Sequence, residues 1–192
     1  REQRFHLPLR LFANFDSVTA PNEFNVGDYD ASDRGNFHAG SRFWLRDPTW
    51  SLYQNTVYNF AFRFPPGTSI SGASAEKVLF QLPFAPGTNL FEKYLQVDTR
   101  PNTGSCTSSL GWAPSASSNI NSNGIDFLFE SGTVIAPDRQ SDWRSYSTVR
   151  NGNCISLGFV LNSNASGAPT FNASAESAVF DAMLSTFGWT TP

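Results

Sequence analysis

The chain has 192 residues, of which 40% are apolar and 15% are charged, and its formal net charge is -3. The lack of a basic field argues against nucleic acid as a partner. No apolar run approaches the roughly 18 residues needed to cross a bilayer. The length predicts a chain that buries one core, and 18 Phe among many Ser, Thr, Asn and Gly favour sheets and turns.

Residues 1–50 form a first predicted segment, which consists of a strand and an irregular extension. Its apolar residues occupy every second position, which is the period of an extended strand with one apolar face. They are Phe5, Leu7, Leu9 and Leu11, and they alternate with Arg4, His6, Pro8 and Arg10. Because Pro8 removes a ladder donor, this strand belongs at a sheet edge or reaches another surface. It either pairs with its own sheet or adds to the sheet of a neighbouring subunit.

A polar loop at 22–41 carries the acidic cluster Asp28, Asp30 and Asp33. Calcium takes oxygen ligands from flexible loops, although this loop lacks the spacing and the terminal Glu of an EF-hand. The cluster is interpreted either as a calcium site or as a solvated turn. No other cofactor is predicted.

Residues 51–192 form the second predicted segment, an α+β domain in which a twisted antiparallel sheet is covered by a C-terminal amphipathic helix. Strands are predicted at 57–64, 77–84, 91–98, 125–130, 143–150 and 153–161. The first should have one aromatic face, because its aromatic residues Tyr58, Phe60, Phe62 and Phe64 occupy every second position. The dipeptide Asn151-Gly152 predicts a two-residue hairpin turn, because both central residues of that turn need positive φ. Residues 101–124, rich in Pro, Asn, Ser and Gly, are predicted to form one long loop pinned by Cys106 and Trp112.

The chain ends in a predicted helix whose apolar residues recur with helical spacing. The stripe consists of Val179, Phe180, Met183, Leu184 and Phe187. Asn172 or Ser174 is the expected N-cap, and Gly188 is the expected end. This stripe has to cover the sheet.

Cys106 and Cys154 are the two cysteines of the chain. We expect a disulfide between them, because Cys106 lies in a Thr/Ser/Gly loop where a free thiol would be exposed. Few Lys and many small polar residues predict an extracytoplasmic protein, secreted or at the cell surface, and this location also favours the bridge. The alternative is two buried free thiols. Because the chain begins at Arg1 without an apolar signal region, membrane anchoring is expected only through an upstream segment that was removed.

Three features together resemble the PsbP-like extrinsic proteins of photosystem II and similar domains of small bacterial surface lipoproteins. They are the aromatic strand ending in Phe64-Pro65-Pro66-Gly67, the hairpin through Asn151-Gly152, and the closing helix that ends in Ser185-Thr186-Phe187. The segment Gly87-Thr88-Asn89-Leu90 is also similar to those lipoproteins. The resemblance covers about 55–189. It implies an α+β sandwich and an extracytoplasmic accessory domain without catalytic machinery.

Each residue that could take part in catalysis or binding also has a purely structural interpretation. His6 and His38 lie near no nucleophile motif, so no catalytic residue is predicted. Paired carboxylates for glycoside cleavage could come from Glu92, Asp98, Asp126 or Glu130, but charges that keep one face of a sheet wet explain them better. Trp112, Trp143 and Trp189 could form a stacking platform for sugars or pack in the core. Asn164 and Asn172 begin Asn-x-Ser triplets and are candidate glycosylation sites.

These observations predict a non-enzymatic, extracytoplasmic interaction or assembly protein whose partner is another protein or a second copy of the chain. The first alternative is an extracellular filament subunit that donates its N-terminal strand to its neighbour. A carbohydrate-binding module is the second alternative, and a hydrolase is the third.

Overall fold

The computed structural model describes residues 49–167 and 169–191. They form ten strands and one helix. In chain order these are β1 Ser51–Asn55, β2 Phe60–Phe64, β3 Ser69–Ser71, β4 Lys77–Gln81, β5 Leu90–Pro101, β6 Ala116–Ser122, β7 Ile125–Ile135, β8 Arg139–Arg150, β9 Asn153–Asn164, α1 Ala173–Ser185 and β10 Gly188–Trp189. No helix within these ranges has both the length and the apolarity to span a membrane.

The strands form two antiparallel sheets. The larger sheet has seven strands in the order β3-β4-β5-β9-β8-β7-β6, and the smaller has three in the order β1-β2-β10. The turn between β8 and β9 has positive φ at both Asn151 (50°) and Gly152 (73°), which confirms the predicted hairpin. Strand β9 lies at the centre of the large sheet, where its whole length pairs with β5 on one side and β8 on the other.

One face of the large sheet is covered by α1 and the small sheet, and we call it the helix-covered face. Phe180 of α1 lies 4.6 Å from Phe159 of β9 between ring centroids. Phe62 of β2 lies 5.3 Å from Phe80 of β4. The alternating aromatic residues predicted for β2 therefore do point into the core, since Phe60 and Phe62 are both buried.

The opposite face is crossed by residues 102–115, the 102–115 loop, and we call it the loop-covered face. Its central residues are small or polar, and they are Ser145, Ser147, Ser156 and Gly158. The loop lies directly on them. Leu110 occupies the space above Gly158, and the backbone N–H of Ser109 donates to Ser156 Oγ at 3.2 Å.

Helix α1 begins at the predicted N-cap, because the side chain of Asn172 accepts a hydrogen bond from the Ala175 N–H at 3.0 Å. It ends at Ser185 with Thr186 as the C-cap, so the prediction that Gly188 ends the helix is wrong. Gly188 instead begins β10, where it pairs with Ala61. A buried ion pair of 2.8 Å joins Glu176 in the first turn to Lys93 on β5.

The α+β prediction is also wrong. Strands contain 52% of the described residues, whereas the helix contributes 13 residues. The helix shares its covering role with a second sheet, so the domain is mostly β. The prediction missed β1, β3, β6 and β10, and it assigned β6 to a single loop over 101–124 because Ser and Asn have low intrinsic strand preference.

Candidate functional site

The β6–β7 hairpin forms one edge of the large sheet. Its turn is Asn123-Gly124, and both residues have positive φ, at 53° and 75°. Ser122 pairs with Ile125 across this turn, so the hairpin has a two-residue loop. Such a loop fixes which backbone groups face the neighbouring strand, because the residues that flank it form a hydrogen-bonded pair and the pairs alternate from there.

Because of this alternation, the backbone N–H and C=O groups of every second residue of β6 point away from β7. Ser122, Ile120 and Ser118 are hydrogen-bonded to β7, whereas the N–H and C=O groups of Ser117, Asn119 and Asn121 point to the outer edge. Among the described residues no strand pairs with that edge. The site is therefore a row of three residues whose backbone N–H and C=O groups have no strand partner within the described part of the chain.

The edge of β6 is held in place at both ends. At the beginning of the strand, the Ser115 N–H donates to the Ser131 carbonyl at 2.9 Å. At the turn, Asn123 donates its side-chain amide to the Ser185 carbonyl at the end of α1. The Asn121 side chain also donates to Asp126 at 2.6 Å. Since these contacts fix the strand before anything binds, an added segment would meet a preorganised edge.

On the helix-covered face, the edge of β6 leaves apolar surface incompletely covered. The residues of β6 on this face are Ala116, Ser118, Ile120 and Ser122. Three of them are small, and Ser118 is exposed although it pairs with Phe129. Ile120 and Phe129 are both only half-buried while they pack against the core. Large apolar side chains placed beside β6 would cover them.

Sequence reasoning missed this edge, although a signal was present. Asn123-Gly124 is the same dipeptide that predicted the β8–β9 hairpin. Because it precedes the predicted strand at 125–130, it indicates a second strand on its N-terminal side. The Ser- and Asn-rich composition of Ala116–Ser122 hid that strand.

A cleft of about 540 Å³ lies between the first half of α1 and strands β7 and β8. The charged groups at its wall are already paired. Asp142 accepts from Thr133 Oγ1 at 2.6 Å and from Gln140 Nε2 at 2.9 Å. Arg144 lies 3.4 Å from Asp181, and this pair flanks Tyr146. Burial, followed by the Asp181 carboxylate, raises the pKa of Tyr146 to about 12.

The predicted disulfide is present. Cys106 and Cys154 are bonded, with their Cα atoms 5.3 Å apart. Cys154 is buried in β9, so the bond attaches the 102–115 loop to the centre of the large sheet. Trp112 packs on Trp143 with ring centroids 6.2 Å apart, which confirms that Cys106 and Trp112 both hold this loop.

The candidate carboxylates of the loop-covered face each have a structural partner. Glu130 is buried and accepts from the Ser108 N–H at 2.6 Å, and Asp98 pairs with Arg100 at 3.2 Å. The Glu92 carboxylate accepts a hydrogen bond from the side-chain amide of Asn162 on the neighbouring strand β9. Asp126 is engaged by Asn121. The structure brings none of these four into a facing pair. The described residues contain no group of three or more His, Cys, Asp and Glu placed to hold a metal.

The three candidate tryptophans do not form one platform. Trp143 is 2% exposed and lies under the 102–115 loop. Trp189 is half-buried in β10, and the Arg150 guanidinium lies 4.5 Å above its ring. Trp143 is therefore a packing residue, and Trp189 has one face already occupied.

Asn164 and Asn172 are both exposed. Asn164 ends β9, whereas Asn172 uses its side-chain oxygen as the helix N-cap. Glycosylation at either residue stays a prediction.

Several candidate residues lie outside the described ranges. They are Phe5, Leu7, Leu9 and Leu11 of the predicted strand, Asp28, Asp30 and Asp33 of the predicted calcium loop, and His6 and His38. The predicted division into 1–50 and 51–192 lies close to residue 49, where the described residues begin, so it stays a prediction.

No protein-family model matches the chain, and no curated protein matches it. Among solved structures, the chain is similar to a protein from Bacteroides thetaiotaomicron VPI-5482, at 9% identity and a TM-score of 0.49, over 74% of this chain and 49% of that one. It is also similar to PA94, a protein of unknown function from Pseudomonas aeruginosa, at 14% identity and a TM-score of 0.41, over 74% of this chain and 98% of that one. The chain thus spans about half the length of the Bacteroides protein. Neither likeness identifies a family or a function, so the resemblance to PsbP-like proteins stays a prediction.

Proposed function

We propose that this chain is an extracytoplasmic interaction protein, and that its described domain binds an extended segment of a protein partner along the edge of β6. Binding is by strand addition, in which the backbone of the partner supplies the hydrogen bonds and its side chains supply specificity. The function proposed is recognition or assembly rather than catalysis.

The observation that carries this proposal is that β6 lacks the usual protection of an edge strand within the described part of the chain. Proteins normally protect an exposed sheet edge with charged residues, proline, bulges or very short strands. Strand β6 has seven residues in unbroken register with β7, and its sequence, ASSNINS, contains neither charge nor proline. The opposite edge of the same sheet is β3, which has only three residues. Of the two edges, β6 is therefore the one suited to accept a partner.

The extracytoplasmic part of the proposal is supported by the disulfide. Disulfides form and persist in oxidising compartments, and this one attaches a long loop across the main sheet. Thiol labelling of the protein taken from its natural host, denatured but without prior reduction, tests this part. We expect no labelling. Stoichiometric labelling of both cysteines would place the protein in a reducing compartment and would contradict the proposal.

The binding part is tested with a library of random peptides displayed on phage and selected on the folded full chain. Bound peptides are then mapped by amide hydrogen exchange. We expect selected peptides to slow exchange at Ser117, Asn119 and Asn121, the residues whose N–H groups point outward. Selection of no peptide, or of peptides that protect only other regions, would contradict the proposal.

A pair of variants at one position sharpens this experiment. Asn119→Pro removes an outward N–H group without removing a bond to β7, whereas Asn119→Ala keeps that N–H group. We expect Asn119→Pro to weaken peptide binding at least about tenfold, the equivalent of one backbone hydrogen bond. Asn119→Ala should bind like the wild type. Equal loss in both variants would assign the binding to the side chain.

A further inference from the structure

We infer that the occupant of the β6 edge is the segment Arg4–Leu11 of a second copy of this chain, added as a parallel strand. This inference rests on the proposed function, because it names the partner for the same edge. It makes the chain both a donor and an acceptor, so that copies join head-to-tail.

The first argument is complementarity of size and spacing. The apolar residues of the segment are Phe5, Leu7, Leu9 and Leu11, which occur at every second position. Strand β6 offers the same number of positions on the helix-covered face, and three of those four residues are small. Side chains directly beside one another on adjacent strands contact each other. A row of large apolar residues beside this row would complete the cover over the half-buried Ile120 and Phe129.

The second argument fixes the direction of the added strand. To cover Ile120 and Phe129, the apolar residues of the segment have to lie on the helix-covered face, which puts Pro8 on the other face. The outward groups of β6 belong to Ser117, Asn119 and Asn121, whose side chains lie on the loop-covered face.

In an antiparallel pair, hydrogen-bonded residues lie opposite each other and share a face. Pro8 would then have to donate to β6, and it has no N–H group. In a parallel pair, a residue bonds to the two neighbours of the residue opposite it, so the bonding residues of the two strands lie on opposite faces. The apolar residues Phe5, Leu7, Leu9 and Leu11 then bond to β6, and Pro8 faces outward. Only the parallel arrangement satisfies every outward group of β6.

The third argument concerns the kind of contact that two copies would make. The described chain enters the domain through β1, which packs over β4 with the rings of Tyr53 and Phe80 5.1 Å apart. Strand β4 lies next to the β3 edge, and β6 is the opposite edge of the seven-stranded sheet. Because the donor segment and the β6 edge are different surfaces, a contact between two copies is heterologous, and it repeats from copy to copy unless its rotation closes a ring.

The inference is tested with the full chain and two variants. The donor variant is Leu7→Asp/Leu9→Asp, which places charge where apolar contact is required, and the acceptor variant is Asn119→Pro. We expect the wild type to form concentration-dependent linear assemblies in sedimentation velocity and electron microscopy, and we expect each variant alone to be monomeric. A mixture of the two variants should form dimers and nothing larger, because only one donor and one acceptor remain intact in each pair. The inference would be overturned if the mixture formed no dimers and the wild type formed no assemblies.

The variant Pro8→Ala tests the direction of the strand. It restores an N–H group at residue 8. In the parallel arrangement this group faces solvent, so we expect unchanged association. An antiparallel strand would gain a hydrogen bond to β6, and association that is about tenfold tighter would overturn the parallel assignment.

Hydrogen exchange separates the remaining outcomes. A wild-type monomer whose β6 amides are protected, and whose protection is lost in Leu7→Asp/Leu9→Asp, would mean that the segment binds within its own copy and would overturn the inference. If displayed peptides bind β6 while the chain does not self-associate, the inference fails and the proposed function stands. If no peptide binds β6, both fail.

Discussion

The side chain of Leu110 fills the space that a side chain at Gly158 would need. A Cβ atom added to Gly158 would lie 2.9 Å from Leu110 Cγ, which is closer than such atoms approach in proteins. Gly158 lies in the central strand of the large sheet, and Leu110 lies in the 102–115 loop. The close contact shows that the loop packs directly on the sheet at Gly158.

We therefore expect Gly158→Ala to lower the free energy of unfolding by about 1–3 kcal/mol, the usual effect of overpacking. Gly188→Ala is the matched control, because a Cβ there meets nothing within 4 Å and Gly188 is also in a strand. Urea unfolding monitored by tryptophan fluorescence measures both. In Gly158→Ala/Leu110→Ala the loss should be smaller than the sum of the single losses. A neutral Gly158→Ala would mean that the loop yields without cost.

The ion pair between Lys93 and Glu176 should be sensitive to the loss of either partner. Lys93 is 1% exposed, and Glu176 also accepts the Ala85 N–H at 3.0 Å. Burial lowers the pKa of Lys93, although Glu176 opposes that shift. Glu176→Gln keeps an acceptor for Ala85 but leaves Lys93 without its counter-charge. We expect it to destabilise the domain by about 3–5 kcal/mol.

The double variant Lys93→Met/Glu176→Gln provides the control for this pair. It removes both charges, so we expect it to recover much of the stability lost in Glu176→Gln alone. Thermal unfolding and urea unfolding at neutral pH measure both variants. Additive losses in the double variant would show that the two charges act independently, contrary to the geometry.

The disulfide should contribute to stability by restricting the unfolded chain. Its cysteines are separated by 48 residues, and a loop of that length corresponds to roughly 4 kcal/mol in the chain-entropy model. We expect the reduced protein to unfold at a correspondingly lower urea concentration. Before global unfolding, amides of the 102–115 loop should exchange faster than those of β9. Equal urea midpoints with and without reductant would contradict the expectation.

Tyr146 should make the domain sensitive to alkaline pH. Burial raises the pKa of Tyr146 from 10.0 to about 12, so the folded state holds its proton more tightly than the unfolded state. The stability that this contributes is fully present below pH 10 and is lost as pH rises towards 12. Its size is on the order of 3 kcal/mol. The unfolding free energy of the wild type should therefore fall more steeply between pH 10 and pH 12 than that of Tyr146→Phe. Parallel pH profiles would contradict the assignment.

Much of the domain could be predicted from local sequence signals. The alternation through Phe60 and Phe62, the turn at Asn151-Gly152 and the cap at Asn172 each depend on a few neighbouring residues. The disulfide followed from the chain having two cysteines and one exposed loop. The first three predictions were correct because local geometry decides them, and the disulfide was correct because two cysteines offer one pairing.

The remaining features depend on partners that are distant in the sequence. Strand β6 exists because Ala116–Ser122 pairs with β7, although its own residues favour turns. Ser145, Ser156 and Gly158 are typical of a solvated face, yet the 102–115 loop covers them. The fold class was wrong for the same reason, since the short strands β1, β3 and β10 acquire their pairing only in the tertiary structure.

Strand β9 sets the order in which the large sheet can assemble. It joins β5, which precedes it by more than fifty residues, to β8, so the two halves of the sheet have no direct pairing without it. During synthesis, one edge of β5 therefore stays unpaired until β9, which ends at Asn164, has left the ribosome. We therefore expect refolding in the test tube to be slow and sensitive to protein concentration.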